Sequence, residues 1–242
     1  MIDLHCHILP ELDDGSRSLE ESLAMARMAV DSGVKAMAAT PHCAEGNARE
    51  VMETWSLLRQ ALEEAQIPLK LLPGMEIFGT PETPRLLREG KLITLNGSRY
   101  PLIEFSFRSD GEQETGILRS VCKMGFRPVV AHPERYDFVR ENPEIVNRWH
   151  RMGCLLQVNR GSLLGRFGGS VRMMAEELTA RGFVAAVASD AHSPRVRTPW
   201  MADVRELLAQ EISPRYARAL LRDNPGRILK DEPITLAEPD WF

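Results

Sequence analysis

The stretch Phe183-Val184-Ala185-Ala186-Val187-Ala188-Ser189-Asp190-Ala191-His192 decides how the chain folds. It begins with six apolar residues, which suits a short strand that is buried on both faces. It ends in an acid and a histidine. The same order, an apolar run that stops at a polar residue and is followed by an amphipathic segment, recurs along the chain. Each recurrence predicts a strand followed by a helix, with polar side chains at the carboxyl end of the strand.

Seven apolar runs predict seven strands. The runs are residues 2–4, 34–39, 69–72, 102–103, 128–131, 155–158 and 183–188. Between them, apolar residues at helical spacing predict helices over about 19–30, 51–62 and 171–178. The first of these helices begins at the capping box Ser18-Leu19-Glu20-Glu21 and stops at Gly33.

Strict alternation of strand and helix favours a parallel sheet covered by helices. Seven such units predict an α/β fold, a closed or nearly closed β/α barrel, and an open doubly wound sheet is the alternative because periodicity does not show closure. We expect one domain over residues 1–230 and an acidic C-terminal tail over residues 231–242, whose Trp241 and Phe242 dock either on the barrel or on a partner. A barrel gathers the carboxyl ends of its strands at one mouth, where a site is expected.

Composition excludes several classes of protein. The 242 residues are 43% hydrophobic and 26% charged, with a net charge of -4. This composition is typical of a globular domain and supplies no positive field for nucleic acid. The apolar runs are too short to span a membrane, and residues 1–7 show no secretory signal, so we expect a cytoplasmic protein. The four cysteines form no CxxC pair and are interpreted as reduced thiols.

Histidines and acids stand at or just after the predicted strands. The residues in these places are His5, His7, His42, Glu76, Glu104, His132, Asn159, Asp190 and His192. Imidazole and carboxylate together are typical ligands of divalent first-row metals. His5 and His7 are two residues apart, so in a strand they project to the same side, and Asp190 and His192 do likewise. His150 lies in a helical segment and is expected to be an ordinary histidine.

The motifs around these residues resemble the polymerase and histidinol phosphatase (PHP) superfamily, and within it the bacterial PHP-type protein tyrosine phosphatases of capsular and exopolysaccharide regulation. The resemblance runs in order from Met1 to about Arg197. It rests on residues 3–10 with Asp13-Asp14-Gly15, Thr40-Pro41-His42, Gly74-Met75-Glu76, Ile103-Glu104-Phe105, residues 131–136, Gln157-Val158-Asn159 with Gly161-Ser162, and Ser189-Asp190-Ala191-His192.

The resemblance implies a distorted (β/α)7 TIM-like barrel, the PHP fold, with three divalent metal ions. The family likeness implies that the metal is manganese, and iron, cobalt and zinc ions also bind to ligands of these types. The implied ligands are His5, His7, Glu76 and Asp190 for the first ion, Glu104 and His132 with bridging Glu76 for the second, and Asp14, His42 and His192 for the third. Arg135 and Arg197 are implied to reach the phosphate.

The activity that the resemblance implies is hydrolysis of phosphotyrosine by a metal-activated water. The implied partner is a tyrosine-phosphorylated protein, the tail of a bacterial tyrosine kinase of polysaccharide export. No nucleic acid and no membrane insertion are expected, and the oligomeric state stays open.

Other functions remain open at this point. Residues 42–49 fit the HCxxGxxR loop of cysteine-dependent tyrosine phosphatases, with Cys43 as nucleophile and Arg49 on the phosphate. Glu45 and Glu50 fit that loop poorly. Other superfamily members hydrolyse histidinol phosphate or small phosphomonoesters. Nuclease action is a further alternative, but a nuclease needs a basic surface to bind nucleic acid, and the sequence shows none. A non-catalytic binding module is the alternative from a different class.

Overall fold

Parallel strands and helices alternate up to the last strand in the computed structural model, which describes residues 1–43 and 47–242 without the side chain of Cys43, and several helices follow that strand. The strands are β1 (Ile2–Cys6), β2 (Ala36–Ala39), β3 (His42–Cys43), β4 (Lys70–Pro73), β5 (Glu76–Phe78), β6 (Leu102–Glu104), β7 (Val129–Ala131), β8 (Leu155–Asn159) and β9 (Val184–Ala188). All seven predicted strands are present among them. Two short strands, β3 and β5, were not predicted.

The helices pack around these strands. They are α1 (Leu19–Asp31), α2 (Ala48–Glu64), α3 (Thr83–Arg88), α4 (Glu112–Lys123), α5 (Asp137–Glu141), α6 (Ile145–Arg151), α7 (Arg160–Leu163), α8 (Gly169–Ala180), α9 (Ala202–Glu211), α10 (Pro214–Arg218) and α11 (Asn224–Leu229). The three predicted helices correspond to α1, α2 and α8. The predicted start of α1 is confirmed, since the Ser18 hydroxyl accepts a hydrogen bond from the Glu21 backbone N–H at 3.3 Å.

The strands occupy seven positions around the barrel. One ribbon has the order β1-β2-β4 and the other the order β3-β5-β6-β7-β8-β9, and every pairing is parallel. Strand β3 continues the path of β2 after Thr40-Pro41, and β5 continues that of β4 after Gly74-Met75. Proline lacks the backbone N–H that a sheet ladder needs, so the break at Pro41 has a direct cause. The second and third positions are therefore each one strand in two pieces.

The first and last strands meet, which closes the ring. The His7 backbone N–H donates to the Ala191 carbonyl at 2.8 Å, and Cys6 forms a parallel bridge with Ala191. The buried Asp3 carboxylate accepts from the Ser189 backbone N–H at 3.0 Å. The distorted barrel is thus confirmed, and the open doubly wound sheet is wrong.

The C-terminal residues pack against the barrel. The rings of Trp241 and Phe242 lie 6.0 and 5.5 Å from the ring of Phe183, at the amino end of β9, and Arg181 lies over the Phe242 ring at 4.4 Å. Residues 231–242 contain no helix or strand. The rings of Trp241 and Phe242 therefore pack on the barrel, which is one of the two predicted alternatives. The division of the chain at residue 230 stays a prediction.

The described cysteines are Cys6, Cys122 and Cys154, and all three are free thiols, as predicted. The sulfur atoms of Cys122 and Cys154 lie 3.8 Å apart. Within residues 1–43 and 47–242, no helix combines the length and the apolar character needed to cross a membrane.

Candidate metal centre

The carboxyl ends of the strands bring the predicted ligands into one cluster. Four overlapping groups of side chains each place their donor atoms within 4.8 Å of one another. Together the groups contain all nine predicted ligands: His5, His7, Asp14, His42, Glu76, Glu104, His132, Asp190 and His192. These residues come from every part of the chain between the first strand and the loop after β9. Closure of the barrel thus brings together residues that are far apart in sequence.

Glu76 lies at the centre of the cluster and is only 1% exposed. Its Oε2 atom is 3.1 Å from His5 Nε2, 3.2 Å from His7 Nε2 and 3.1 Å from His42 Nδ1. Its Oε1 atom is 2.8 Å from His132 Nε2. Four imidazoles thus surround one carboxylate. Glu76 begins β5, and the break before it at Gly74-Met75 sets where its side chain enters the mouth.

The partners of His5 and His7 show which ring nitrogens face the cluster. His5 Nδ1 donates to the Gln157 side-chain oxygen at 2.8 Å, and His7 Nδ1 donates to Asp13 at 2.7 Å. In the neutral form of either imidazole, the Nε2 atom therefore carries a lone pair. The two Nε2 atoms are 3.2 Å apart. A cation, either a proton or a metal ion, is needed between two lone pairs at that distance.

Several buried polar atoms of the cluster lack a hydrogen-bond partner among the described residues. They include Glu76 Oε2, Asp190 Oδ1 and His192 Nε2. A buried polar atom without a partner costs about 1–3 kcal/mol, so a structure that holds several of them needs another source of stabilisation. Unpaired oxygen and nitrogen atoms that converge on one space are a donor set suited to divalent cations. The residues present therefore fit a metal centre.

The electrostatic field of the cluster favours positive charge. Burial by itself would lower the pKa of His7, but Asp13, Asp190 and Glu76 raise that pKa well above its usual value. Burial would raise the pKa of Asp190, but positive charge at the neighbouring imidazoles holds it well below its usual range. Burial, aided by positive charge at His7 and Arg197, lowers the pKa of His192 to about 4. His192 is thus neutral at neutral pH, which is the form that binds a metal.

Two arginines join the cluster at Asp190. A terminal nitrogen of Arg197 lies 2.5 Å from Asp190 Oδ2, and one of Arg135 lies 3.3 Å from the same oxygen. Both side chains are partly exposed, by 18% for Arg135 and 27% for Arg197. Their N–H groups can therefore bind an anion that enters from solvent while they remain next to the candidate ligands.

Three of the predicted site residues have backbone angles that are uncommon outside glycine. The φ angle is +34° at His132, +49° at Asp190 and +53° at Arg197. Such positions cost about 1–3 kcal/mol and persist where the surrounding structure holds them, often at functional sites.

The structure also adds residues that are not among the predicted ligands. Asp13, quoted above only as part of the motif Asp13-Asp14-Gly15, accepts from His7 Nδ1 and, at 2.9 Å, from the backbone N–H of His42. Gln157 binds His5 and donates to Asn159, whose side-chain amide donates to Asp190 Oδ2 at 2.5 Å. A histidine that binds a metal commonly donates its second ring N–H to a carboxylate or a carbonyl oxygen. From this rule, Asp13 could have been predicted as the partner of His7.

The groups do not reproduce the ligand assignment that the resemblance implies, since Glu104 and His132 share no group and Glu76 is grouped with neither His7 nor Asp190. His7 and His42 each belong to two groups, one of which they share with Asp14 and His192. His42 Nδ1 lies 2.9 Å from Glu104, and its Nε2 lies 3.6 Å from Asp14. His150 lies elsewhere and packs against Phe183 and Trp241, as expected for a histidine outside the site.

We expect Asp13→Asn to lower the affinity for Mn²⁺ about 10- to 100-fold, the range found when partners of metal ligands are replaced. Both Asp13 oxygens accept hydrogen bonds, Oδ1 from Gly15 and Oδ2 from His7 and His42. An asparagine NH₂ group must therefore face an N–H donor whichever way it turns. Titration calorimetry with Mn²⁺ measures the effect, and Asp31→Asn, at the exposed end of α1, is the matched control. Equal affinities of the two variants would refute the role of Asp13.

A closed β/α barrel with a mouth of imidazoles and carboxylates defines the class of PHP-type metalloproteins. Residues 1–230 match the family model described as "Capsular polysaccharide synthesis, CpsB/CapC". The chain belongs to this CpsB/CapC family.

Named relatives and a solved structure agree with this membership. The chain is 34% identical to the tyrosine-protein phosphatase YwqE of Bacillus subtilis, over 99% of this chain and 95% of that protein. It is 32% identical to the tyrosine-protein phosphatase CpsB of Streptococcus pneumoniae, over 97% and 100%. A crystal structure from work on YwqE and CpsB, described as "unique metal-dependent tyrosine phosphatases", superposes with a TM-score of 0.94 at 33% identity, covering 100% of this chain and 99% of that one.

Proposed function

We propose that this protein is a metal-dependent phosphatase that hydrolyses phosphotyrosine in proteins. The observation that carries the proposal is the arrangement around Asp190, whose Oδ1 atom faces the imidazoles of His5 and His7 while its Oδ2 atom binds Arg135 and Arg197. One carboxylate thus joins the candidate metal centre to two anion-binding side chains. The family membership and the names of the relatives support the same activity.

The centre holds three divalent ions in this proposal, with manganese as the native metal. His5, His7, Glu76 and Asp190 would hold the first ion, Glu104, His132 and Glu76 the second, and Asp14, His42 and His192 the third. Three divalent ions bring six positive charges and the four carboxylates return four, so about two positive charges remain. A phosphate monoester carries about -1.5 to -2 charges near neutral pH, so the site attracts it although the whole chain is acidic.

The residues of the chain divide the work of the reaction between them. When bound, the metal ions supply Lewis acidity and lower the pKa of a water molecule toward neutrality. Arg135 and Arg197 bind the oxygens of the transferred phosphoryl group and stabilise the charge that develops on them. Asp13 and Gln157 hold the rings of His7 and His5, which keeps the ligand nitrogens in place. The tyrosine leaves as a phenolate, a better leaving group than an alkoxide, so a dedicated general acid is less needed.

The substrate is a tyrosine-phosphorylated protein, and the family's description points to capsular polysaccharide synthesis as the setting. We place the tail of a bacterial tyrosine kinase of polysaccharide export in the site, because a phosphotyrosine on a flexible chain can enter a mouth at which both arginines are partly exposed. A kinase tail is phosphorylated where ATP is available, so the proposed site of action is the cytoplasm.

The cysteine-dependent route is the less favoured reading of the same activity. Residues 44–46 of its HCxxGxxR loop and the side chain of Cys43 lie outside the described residues. The flanking residues favour the metal route. His42 binds within the cluster, and Arg49 is 91% exposed and pairs with Glu53 at 2.7 Å in the first turns of α2. Arg49 therefore lies on the surface of the helix, where its guanidinium group already pairs with a carboxylate.

A comparison of two substrates tests the proposed function. We expect the manganese-loaded enzyme to hydrolyse a phosphotyrosine peptide with a kcat/KM at least about tenfold above that for histidinol phosphate. Phosphate release from both substrates is measured on one preparation. A preference for histidinol phosphate would assign the chain to the small-molecule phosphatases of the superfamily, and bound metal without turnover of either substrate would favour a binding module.

A further inference from the structure

Two phenylalanine rings lie close to the guanidinium group of Arg135. Its central carbon lies 4.7 Å from the ring centre of Phe107 and 4.6 Å from that of Phe167. The same Phe167 ring lies 5.9 Å from the guanidinium carbon of Arg197. Phe107 lies after β6, Arg135 after β7, and Phe167 between α7 and α8, which follow β8. Strand β7 lies between β6 and β8 in the sheet, so the segments that follow its two neighbours bring the rings to Arg135.

Both rings are held in place by their surroundings. The Phe107 ring contacts the rings of His132 and Tyr136 at 5.9 and 6.0 Å, and its carbonyl accepts from the Asp137 backbone N–H at 2.9 Å. The Phe167 ring packs across Gly161, where a Cβ atom would lie only 2.7 Å from the ring. Gly161 therefore leaves the space that the ring occupies. Phe107 nevertheless remains 38% exposed and can contact a molecule that enters the mouth.

This arrangement limits how a phosphate ester can approach Arg135. The five N–H groups of a guanidinium lie in its plane, so a phosphate binds at the edge and not on a face. The ring centres of Phe107 and Phe167 lie 4.7 and 4.6 Å from the central carbon of that guanidinium. The organic group of an ester bound to Arg135 therefore leaves the phosphate next to these two rings.

We infer that Phe107 and Phe167, together called the Phe pair, form a subsite for the aryl group of the substrate. The inference rests on the proposed function, because the subsite matters only if Arg135 binds the phosphate of a monoester. An aromatic ring that leaves the phosphate here packs against the Phe pair, whereas the short CH₂ group of a phosphoserine offers it far less contact. The Phe pair thus selects phosphotyrosine, and Arg135 binds the phosphate that all such esters share.

Two phosphonates that differ only in their organic group test this subsite without turnover. Dissociation constants of phenylphosphonate and methylphosphonate are measured by calorimetry on the manganese-loaded protein. We expect the native chain to prefer phenylphosphonate. Phe107→Leu and Phe167→Leu each reduce the preference about two- to tenfold, which is the worth of one aromatic contact. Gly161→Ala reduces it in the same direction, because its methyl group displaces the Phe167 ring without removing it.

Phe126→Leu is the matched control, since Phe126 is a half-buried phenylalanine before the opposite, amino end of β7, and we expect it to leave the preference unchanged. Equal weakening of both phosphonates in the variants would overturn the inference, because the rings would then only position Arg135. An unchanged preference would overturn it as well. Hydrolysis of a phosphotyrosine peptide is measured in parallel. Absent turnover would mean that the proposed function is wrong, whereas the preference between the two phosphonates tests the Phe pair independently of turnover.

Discussion

Removal of divalent metal is expected to lower the hydrolysis of a phosphotyrosine peptide by at least about a thousandfold. Metal ions of this kind supply several kcal/mol of charge stabilisation and an activated water, and about 1.4 kcal/mol corresponds to a factor of ten in rate. Among residues 1–43 and 47–242, the arginines that pair with the cluster are Arg135 and Arg197, and two arginines do not replace the charge of several divalent ions. The protein is dialysed against a chelator and then against metal-free buffer, and activity is measured before and after Mn²⁺, Fe²⁺, Co²⁺ or Zn²⁺ is restored one at a time.

The variant Cys43→Ser distinguishes the two chemical routes in the same experiment. We expect it to retain the activity of the native chain when metal is present, because the metal route requires no thiol. A chain that remains active after thorough metal removal, and loses that activity in Cys43→Ser, would show that the metal centre is not the catalyst.

Much of the barrel could be predicted because local pattern determines it. A fully apolar run such as residues 183–188 is compatible with few environments other than a strand covered on both faces. The acid and the histidine that follow it had then to lie at the mouth, since all parallel strands end on the same side. The candidate ligands at the strand ends could thus be located without knowing which strands are neighbours, whereas Asp14 was implied only by the family resemblance.

The remaining features depend on proximity that no local pattern encodes. Strands β3 and β5 are two and three residues long and exist because β2 and β4 break beside each other. The contact of Gln157 with His5 joins residues 152 positions apart. The Phe pair likewise combines two unrelated loops around Arg135. Closure of the ring, through the contacts of β1 with the loop after β9, brings His5 to Gln157, whereas the Phe pair depends on β6, β7 and β8 being neighbours in the sheet.

Glu76→Gln is expected to reduce both metal binding and activity on the order of a thousandfold. Its carboxylate is buried among His5, His7, His42 and His132, with oxygen-to-nitrogen distances of 2.8 to 3.2 Å. Removal of one charge about 4 Å from another costs about 4 kcal/mol at an effective dielectric constant of about 20, which is nearly a thousandfold. A glutamine has nearly the same shape, so the loss is one of charge and not of packing. Bound manganese is measured by elemental analysis together with kcat/KM.

The matched control is Glu114→Gln, since Glu114 is also buried, at 7% exposure, but lies in α4 and belongs to none of the four ligand groups. We expect this control to bind metal and to turn over substrate like the native chain. Loss of activity together with full retention of manganese would mean that Glu76 acts on the substrate and is not a ligand, and unchanged activity would remove it from the centre altogether.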